Sequence, residues 1–372
     1  SILVWGYANG AGTMQYPGPT LIVNQGDTIT IRLRNELSVP TSIVFPGQQG
    51  LTATGGSAGL LTREAPPDNG ATVVTYTFTA ANAGTYLYHS GSRPDLQVEM
   101  GLVGAIIVRP TGFDPVTNRR VYGHPGSAYD HEYLFLFTEM DPRIHELVNT
   151  GRMAEVDTTT YFPVYWFING RNAPDTMAEA GAPWLPTQPY NCLPRMRPGE
   201  RLLMRVVNAG RDLHPFHHHG NNTTLIARDG RMLESAPGAG PDLAVSDFTI
   251  KAVPGETYDA IYEWTGKGLG WDIYGHAPGD PLEPNEYAPD HGKPFPVVLP
   301  NQQDLTFGGF YSGSPFLGVF GPLPPGQGGL NLNAGFFHMW HSHTEKEIVN
   351  FDIFPGGMMT MVIIEPPGTP IP

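Results

Sequence analysis

Short segments in which apolar and polar side chains alternate make up much of the chain. In residues 20–37 (TLIVNQGDTITIRLRNEL) the alternation continues on both sides of a Gly-Asp pair. A period of two is typical of strands that bury one face, and a Gly-containing turn between two such strands is typical of a hairpin. We therefore predict a half-buried β-hairpin over residues 20–37.

The same alternation predicts two further series of strands separated by a Pro- and Gly-rich connection at residues 110–126. The first series covers residues 73–78, 85–89 and 102–108. The second series covers residues 133–138, 165–169, 201–208, 223–228, 249–253, 260–264, 336–340 and 359–364. Helix signals are scarce, and only residues 176–180 favour a short helix.

Three segments of the first half recur in the second half in the same order. Residues 82–91 (NAGTYLYHSG) match residues 333–343 (NAGFFHMWHSH) when one residue is inserted in the second copy, which pairs His89 with His341. The other two matches pair residues 26–35 with 199–208 and residues 101–110 with 357–366. Ordered matches of this kind predict that one β-sandwich was duplicated.

We therefore expect an all-β protein with two sandwich domains, residues 1–112 and residues 113–372. The 46 Gly and 38 Pro among 372 residues fit many short strands joined by tight turns. A Pro-, Gly- and Asp-rich insertion at residues 266–329 interrupts the second copy. A long loop of this kind favours either a segment that covers the site or a subunit contact.

The charge of the chain narrows the class of partner. The net charge is −14 and only 15% of residues are charged, which argues against nucleic acid or an anionic membrane surface. No apolar run approaches the roughly 18 to 20 residues that span a bilayer. The chain starts with Ser and shows no leader-like segment, so we expect an exported mature form.

Candidate chemistry is concentrated in the two histidine-rich segments 213–220 (LHPFHHHG) and 336–343 (FFHMWHSH). On an extended strand, residues two apart point to the same side. His217 and His219 therefore face one way and His218 the other.

In the second segment, His341 and His343 project together, with Ser342 opposed. With His89, these two pairs supply enough neutral imidazole to hold one copper ion or a close pair, although zinc, iron and nickel also suit imidazole. Histidines outside these segments are expected to be ordinary surface or loop residues; they include His124, His131, His145, His276 and His291.

The histidine segments resemble copper-ligand motifs of multicopper oxidases, and the resemblance extends over nearly the whole chain. Further resembling segments are residues 16–27 (YPGPTLIVNQGD), 168–170 (ING), 225–230 (LIARDG) and 254–259 (PGETYD). The resemblance implies two cupredoxin-like Greek-key β-sandwich domains and copper as the cofactor. In that family a donor reduces a type 1 copper, and a His-Cys-His element passes electrons to a three-copper cluster that reduces dioxygen.

By that resemblance, the ligand set of the three-copper cluster is incomplete. Val44 and Pro46 stand where the family's first pair of histidines falls. The second pair falls on His89 and Gly91, so one ligand is retained. The remaining cluster ligands are all present: His217, His219, His341 and His343.

The implied type 1 site retains a smaller share of its ligands than the three-copper cluster does. His214 is retained as a type 1 ligand, but Ser342 replaces the cysteine and Glu347 replaces the second histidine. A serine hydroxyl is a poor copper ligand, so blue copper and its sulfur electron route are not expected. Cys192 is interpreted as a buried structural thiol, and Glu347 is expected to face solvent.

These observations favour a copper-binding oxidoreductase that acts through a residual histidine-rich site. Its implied partners are a small-molecule or metal-ion electron donor and dioxygen. A non-catalytic copper-binding or structural module is the alternative, and a laccase with normal blue-copper electron transfer is the weakest option. Two-domain relatives further imply a homotrimer, in which domain 1 of one chain faces domain 2 of the next, in an extracellular or periplasmic location.

Overall fold

Strands predominate in the computed structural model, which describes residues 2–277, 279–294, 313–316, 335–365 and 368–371. The first group of strands is β1 Leu21–Asn24, β2 Thr28–Arg34, β3 Gln49–Thr54, β4 Ser57–Ala58, β5 Arg63–Glu64, β6 Val73–Thr79, β7 Gly84–His89 and β8 Val103–Arg109. The all-β class is thereby confirmed. The predicted boundary near residue 112 lies between β8 and the next strand and remains a prediction.

The second group contains the strands that build the candidate site. It consists of β9 His131–Met140, β10 Tyr165–Ile168, β11 Arg195–Met196, β12 Arg201–Asn208, β13 His214–His218, β14 Thr223–Arg228, β15 Arg231–Met232, β16 Val245–Asp247, β17 Thr249–Ala252, β18 Thr257–Glu263, β19 Gly313–Phe316, β20 Gly335–Ser342 and β21 Met359–Ile364. Much of the predicted insertion at residues 266–329 lies outside the described residues.

Helices are short, and the predicted one is wrong. Residues 176–180 do not form an α-helix; the chain makes only a 3₁₀ turn at Asp175–Met177. The described α-helices are α1 Pro94–Gln97 and α2 Pro142–Asn149. The Asp141 carboxylate caps α2 by accepting from the Arg143 N–H, and Pro occupies its first turn, so an Asp-Pro signal was present in the sequence. No described helix is long and apolar enough to cross a bilayer.

The predicted hairpin over residues 20–37 is also wrong. Both strands exist, but β1 pairs in parallel with β8, whereas β2 pairs antiparallel with β6. The turn at Gly26 carries the chain from the sheet β1-β8-β7 to the opposing sheet β2-β6-β3. Alternation identified the strands correctly, but the packing of two sheets against each other determined their partners.

The second sandwich repeats the arrangement of the first. Its two sheets have the orders β10-β9-β12-β18-β14-β15 and β11-β21-β20-β13-β17. The run β11-β21-β20 corresponds to β1-β8-β7, because in both the first pair is parallel and the second antiparallel. This correspondence supports the duplication inferred from the sequence repeats.

Each sandwich has its own apolar core, and a third cluster joins them. In that cluster Leu87 and Val103 of the first sandwich pack with Leu136 and Val207 of the second. Apolar burial of this kind is the main favourable contribution to docking of the two sandwiches. The ligand-bearing strands β13 and β20 lie in the other sheet of the second sandwich.

A buried polar network adds specificity to this contact between sandwiches. Arg205 is 1% exposed; its Nε donates to Glu132 at 2.7 Å and its Nη1 donates to the Thr85 hydroxyl at 2.9 Å. The same guanidinium lies 3.5 Å from the Asp259 carboxylate. Burial alone would raise the pKa of Glu132, but Arg205 and Arg109 outweigh it and lower that pKa to about 2.

We expect Arg205→Ala to lower the free energy of unfolding by about 3 to 5 kcal/mol, because it removes the cation beside the buried Asp259 carboxylate and one of the two cations beside Glu132. Denaturant unfolding measures this change. Arg201→Ala is the control, since it breaks a more exposed pair with Glu263 and should cost less than about 1 kcal/mol. Equal effects of the two substitutions would contradict the assigned importance of the buried network.

Candidate metal centre

Strands β13 and β20 place the histidine pairs side by side. The strands run antiparallel with His217 opposite His341 and Phe216 opposite Ser342. Alternate residues of a strand face opposite sides, so this register directs both imidazoles to the same side of the sheet.

The strand pairing continues just beyond the strand ends and fixes the other two histidines. The His219 N–H donates to the Met339 carbonyl at 3.2 Å, and the His343 N–H donates to the Pro215 carbonyl at 2.8 Å. His219 and His343 therefore follow the same alternation as the paired histidines. We call the set His217, His219, His341 and His343 the four-histidine cluster.

The rings of the four-histidine cluster are in mutual contact. The ring centre of His217 lies 4.8 Å from that of His219, 5.7 Å from that of His341 and 4.9 Å from that of His343. The Nε2 atoms of His219 and His341 are 3.3 Å apart. This separation suits two nitrogens bound to one ion, since metal–imidazole bonds are about 2.0 to 2.1 Å long.

Neighbouring acceptors orient two of the rings. The Nδ1 of His341 lies 2.7 Å from the Ser342 carbonyl oxygen, so it donates its proton there and Nε2 keeps its lone pair. The Nδ1 of His217 lies 3.0 Å from the Thr249 hydroxyl. These partners outside the cluster hold the rings with Nε2 available, as partners of metal-bound histidines commonly do.

The electrostatic state of the cluster also fits a transition metal. Burial, followed by repulsion from the three neighbouring imidazoles, lowers the pKa of His217 to about 4. Burial likewise lowers the pKa of His341. Neutral imidazoles of this kind are the form that binds copper, so the donor set present in the chain fits the ion.

One side of the four-histidine cluster is open. His343 is exposed, whereas the other three rings are half-buried. Phe248, which is 55% exposed, packs edge-on against His217 with ring centres 5.6 Å apart. A small molecule, or a second protein surface, can therefore reach the cluster from the side of His343.

His89 occupies the equivalent position in the first sandwich. Its Nδ1 lies 2.9 Å from the Ser90 carbonyl, the same local arrangement that holds His341. Within the described part of the chain, its ring makes no hydrogen bond or ring contact with the four-histidine cluster. The structure thus brings together four of the five histidines expected to converge.

The loss of ligands from the first sandwich is visible in its geometry. Val44 pairs across from His89 as His217 pairs across from His341, so valine lies where a histidine would face the metal. At Gly91 a side chain would meet Val44 Cγ1 at 2.8 Å and the Ser42 hydroxyl at 3.0 Å. A histidine at Gly91 would need these neighbours to move.

His214 points away from the four-histidine cluster, into the core. Its Nδ1 lies 3.0 Å from a Glu347 oxygen and its Nε2 lies 3.0 Å from a Glu139 oxygen, and all three side chains are buried. Both ring nitrogens are thus engaged by carboxylates. This arrangement favours an ion pair over metal ligation at His214, whose role as a ligand stays a prediction.

Glu347 does not face solvent, contrary to the expectation from the sequence. It is 1% exposed and accepts from the Ser342 hydroxyl at 2.5 Å as well as contacting His214. Glu347, which stands at the position of the second type 1 histidine, therefore links Ser342 to His214. Cys192 is fully buried as expected, and burial raises the pKa of its thiol.

Histidines outside the cluster differ from the sequence-based expectation in three cases. His145 is buried, with Nδ1 at 2.6 Å from the Leu3 carbonyl, and is not a surface residue. His276 and His291 are not ordinary loop residues either, because they lie in one group with Asp272 and Glu286. The sequence signal was the recurrence of carboxylates near both histidines, but spacing alone did not show that they meet.

The sequence of this chain is similar to those of copper proteins. The family model described as Multicopper oxidase matches residues 8–112. Copper resistance protein A of Escherichia coli is 27% identical over 279 residues, which cover 68% of this chain and 42% of that protein. The chain is thus similar to multicopper oxidases, with residues 8–112 matching the family model. This similarity implies copper as the cofactor, and the imidazoles of the four-histidine cluster are suitable copper ligands.

Other relatives extend this comparison. Copper resistance protein A of Pseudomonas syringae pv. tomato is 25% identical over 331 residues, which cover 80% of this chain and 50% of that protein. The chain thus spans half or less of the length of these two curated relatives. The blue copper oxidase of Nitrosomonas europaea superimposes with a TM-score of 0.55 at 18% identity, covering 94% of this chain and 76% of that one. This superposition confirms the cupredoxin fold.

The buried position of His214 predicts a pH dependence of stability. Burial alone would lower its pKa, but hydrogen bonds to Glu139 and Glu347 outweigh it and raise the pKa to about 9. A pKa raised in the folded state contributes stability that is fully present below the unfolded value, about 6.5, and is lost as pH rises through 9. The contribution is about 3 kcal/mol at most.

We expect His214→Gln to lower the free energy of unfolding more at pH 6 than at pH 10. Denaturant unfolding of metal-free protein at several pH values measures the gap between wild type and variant. A gap that stays constant, or widens, across this interval would contradict the assignment of a protonated imidazole between the two carboxylates.

Proposed function

We propose that the four-histidine cluster binds copper and that the chain is an oxidoreductase acting through this site without a type 1 copper. The observation that carries the proposal is the convergence of four imidazoles around the contact of His219 with His341. Bound copper would supply one-electron redox chemistry. The protein would supply the ligands, their orientation and a side open to solvent.

The route of electrons to this site differs from the family's usual one. Ser342 provides no thiolate, and its hydroxyl is committed to Glu347 at 2.5 Å. A relay through sulfur is therefore absent from the strand that joins His341 to His343. A donor would have to approach the copper directly, and the exposed imidazole of His343 marks the accessible side.

The open side of the cluster indicates the class of substrate. A small molecule or a metal ion can approach the open side, and the net charge of −14 favours cationic or neutral donors over anions. Dioxygen is the oxidant proposed by analogy with the family. The extracellular or periplasmic location likewise remains a proposal.

A non-catalytic copper-binding module is the second candidate. Copper held by the cluster could serve a structural or storage role, since closed shells are typical of structural sites, whereas catalytic sites keep one position open. The names of the two copper resistance relatives agree with copper binding as a function. Consumption of dioxygen distinguishes the two candidates.

We also propose that a second copy of the chain brings its His89 to the four-histidine cluster, as part of a homotrimer. Exposed apolar side chains support this proposal at both places: Leu61 is 59% exposed beside Gly91, and Phe248 is exposed beside His217. A contiguous exposed apolar patch is a feature of interaction surfaces. The partner's imidazole would add a fifth nitrogen to the set.

We expect wild-type protein to bind copper and the double variant His219→Ala/His343→Ala to lose both copper and any oxidase activity, because two of the four ligands are removed. Metal analysis and dioxygen consumption with phenolic and metal-ion donors are the measurements. The copper-loaded protein should show no intense absorption band at about 600 nm, since thiolate ligation is absent.

His218→Leu is the matched control for this prediction. His218 lies between two ligands in the chain, but its ring packs in the core against Trp340, with ring centres 5.3 Å apart. The control should keep its copper. Unchanged copper in the double variant would refute the proposed site, whereas bound copper with no oxygen consumption for any donor would support the non-catalytic module.

We expect analytical ultracentrifugation to show a trimer and Leu60→Glu/Leu61→Glu to dissociate it, because both leucines are exposed beside the site at His89. Val116→Glu is the control, since Val116 is an exposed residue in the turn after Asp114. A monomeric wild type, or a double variant that assembles as wild type does, would contradict the proposed assembly.

A further inference from the structure

A second group of metal-ligating side chains lies outside the four-histidine cluster. It consists of Asp272, His276, Glu286 and His291, each of which offers one ligand atom, and these atoms all lie within 4.8 Å of one another. All four residues come from the segment that follows β18, at the start of the predicted insertion. No known ligand position of the resemblance described above falls on this segment.

The distances within the group are those of a coordination shell. The Nδ1 of His276 lies 3.2 Å from Asp272 Oδ2 and 3.2 Å from Glu286 Oε2. The Nδ1 of His291 lies 2.8 Å from Glu286 Oε1 and 3.8 Å from Asp272 Oδ2. Ligand atoms bound to tetrahedral zinc at 2.0 to 2.1 Å are about 3.3 Å apart. The four donors therefore surround a position of the size that the ion needs.

The two carboxylates of the group are almost completely removed from solvent. The Asp272 side chain is 1% exposed and the Glu286 side chain 4% exposed. Within the described residues, the ion pairs of both carboxylates are to His276 and His291 alone. Two adjacent buried carboxylates need a positive charge between them.

Backbone groups fix both carboxylates in place. The Tyr274 N–H donates to Asp272 Oδ1 at 2.8 Å, and the Gly292 N–H donates to Asp272 Oδ2 at 2.8 Å. The Glu283 N–H donates to Glu286 Oε2 at 3.0 Å. The oxygens are held by the turn structure around them, so a ligand set exists before an ion binds.

The two imidazoles are held in the same manner. His291 Nε2 lies 2.9 Å from the Asp280 carbonyl oxygen and donates to it, so Nδ1 is the ring nitrogen that faces the carboxylates, 2.8 Å from Glu286 Oε1. His276 is held by the ring of Tyr274, which stacks on it with ring centres 5.7 Å apart and planes 3° apart.

We propose that Asp272, His276, Glu286 and His291 bind a single zinc ion. Two imidazole nitrogens and two carboxylate oxygens form a donor set that zinc accepts in tetrahedral geometry, whereas calcium and magnesium prefer oxygen alone. Four protein ligands close the shell, which is typical of a structural site. The ion holds residues 272–291 in their fold.

The zinc site is independent of the copper proposal, and its experiment separates the two. The double variant His219→Ala/His341→Ala removes two nitrogens from the four-histidine cluster, so that zinc bound elsewhere can be counted. After metal removal, zinc loading and dialysis, this background should retain one zinc ion per chain by metal analysis.

Adding His276→Ala/His291→Ala to the background should reduce the retained zinc from one ion per chain to none. Adding His131→Ala is the matched control and should leave it at one. His131 also pairs with a carboxylate, at 2.8 Å from Glu200, and is exposed to a similar extent, but it lies outside the group. The proposal would be overturned if the variant with His276→Ala/His291→Ala still retained zinc, or if the background protein retained no zinc.

A measurement on the background protein alone covers the case in which the alanine variants do not fold. Cobalt loaded in place of zinc should give the intense visible absorption of a four-coordinate ion with nitrogen and oxygen ligands. The weak absorption of a six-coordinate ion, or no cobalt binding, would overturn the zinc site.

Discussion

The antiparallel pairing of β13 with β20 is the constraint on which the candidate copper site depends. It sets His217 opposite His341 and Phe216 opposite Ser342. Because side chains alternate between the two faces of a strand, a shift of one residue in either strand would turn its imidazoles into the core. Apolar neighbours such as Phe216 and Trp340, both fully buried, make that shift costly. Core packing therefore holds the ligands in position from the opposite face.

The inner face of the same two strands carries a polar network where the resemblance to multicopper oxidases implies a type 1 copper site. His214, Glu139 and Glu347 form a buried chain of hydrogen bonds that ends on the Ser342 hydroxyl. A protonated histidine that donates to two carboxylates has no lone pair for a metal, and a serine offers no thiolate. The polar network satisfies groups that would otherwise be buried without partners, and so preserves the core without a metal.

The two sandwiches share a strand arrangement but differ in the number of histidines at equivalent positions. The second sandwich keeps four imidazoles at its site, whereas the first keeps His89 and has Val44 at the position across from it. Completion of the site by His89 would then require another copy of the chain. The proposed zinc site belongs to the second sandwich as well, in a segment without a counterpart in the first. Both proposed metal sites thus lie in the second half of the molecule.

Local pattern was sufficient to predict most strands, the all-β class, the duplication and the two histidine pairs, because side-chain alternation depends only on the backbone of one strand. The local pattern did not predict which strands pair with each other or which side chains meet. The hairpin over residues 20–37 was wrong because β1 and β2 join different sheets, and Glu347 was wrongly expected to be exposed because its burial depends on His214 and Ser342. The group around Asp272 and His291 was missed for the same reason. Sequence periodicity determined which way each histidine faces on its strand; long-range packing alone decided which side chains meet, since contacts between distant segments carry no local signal.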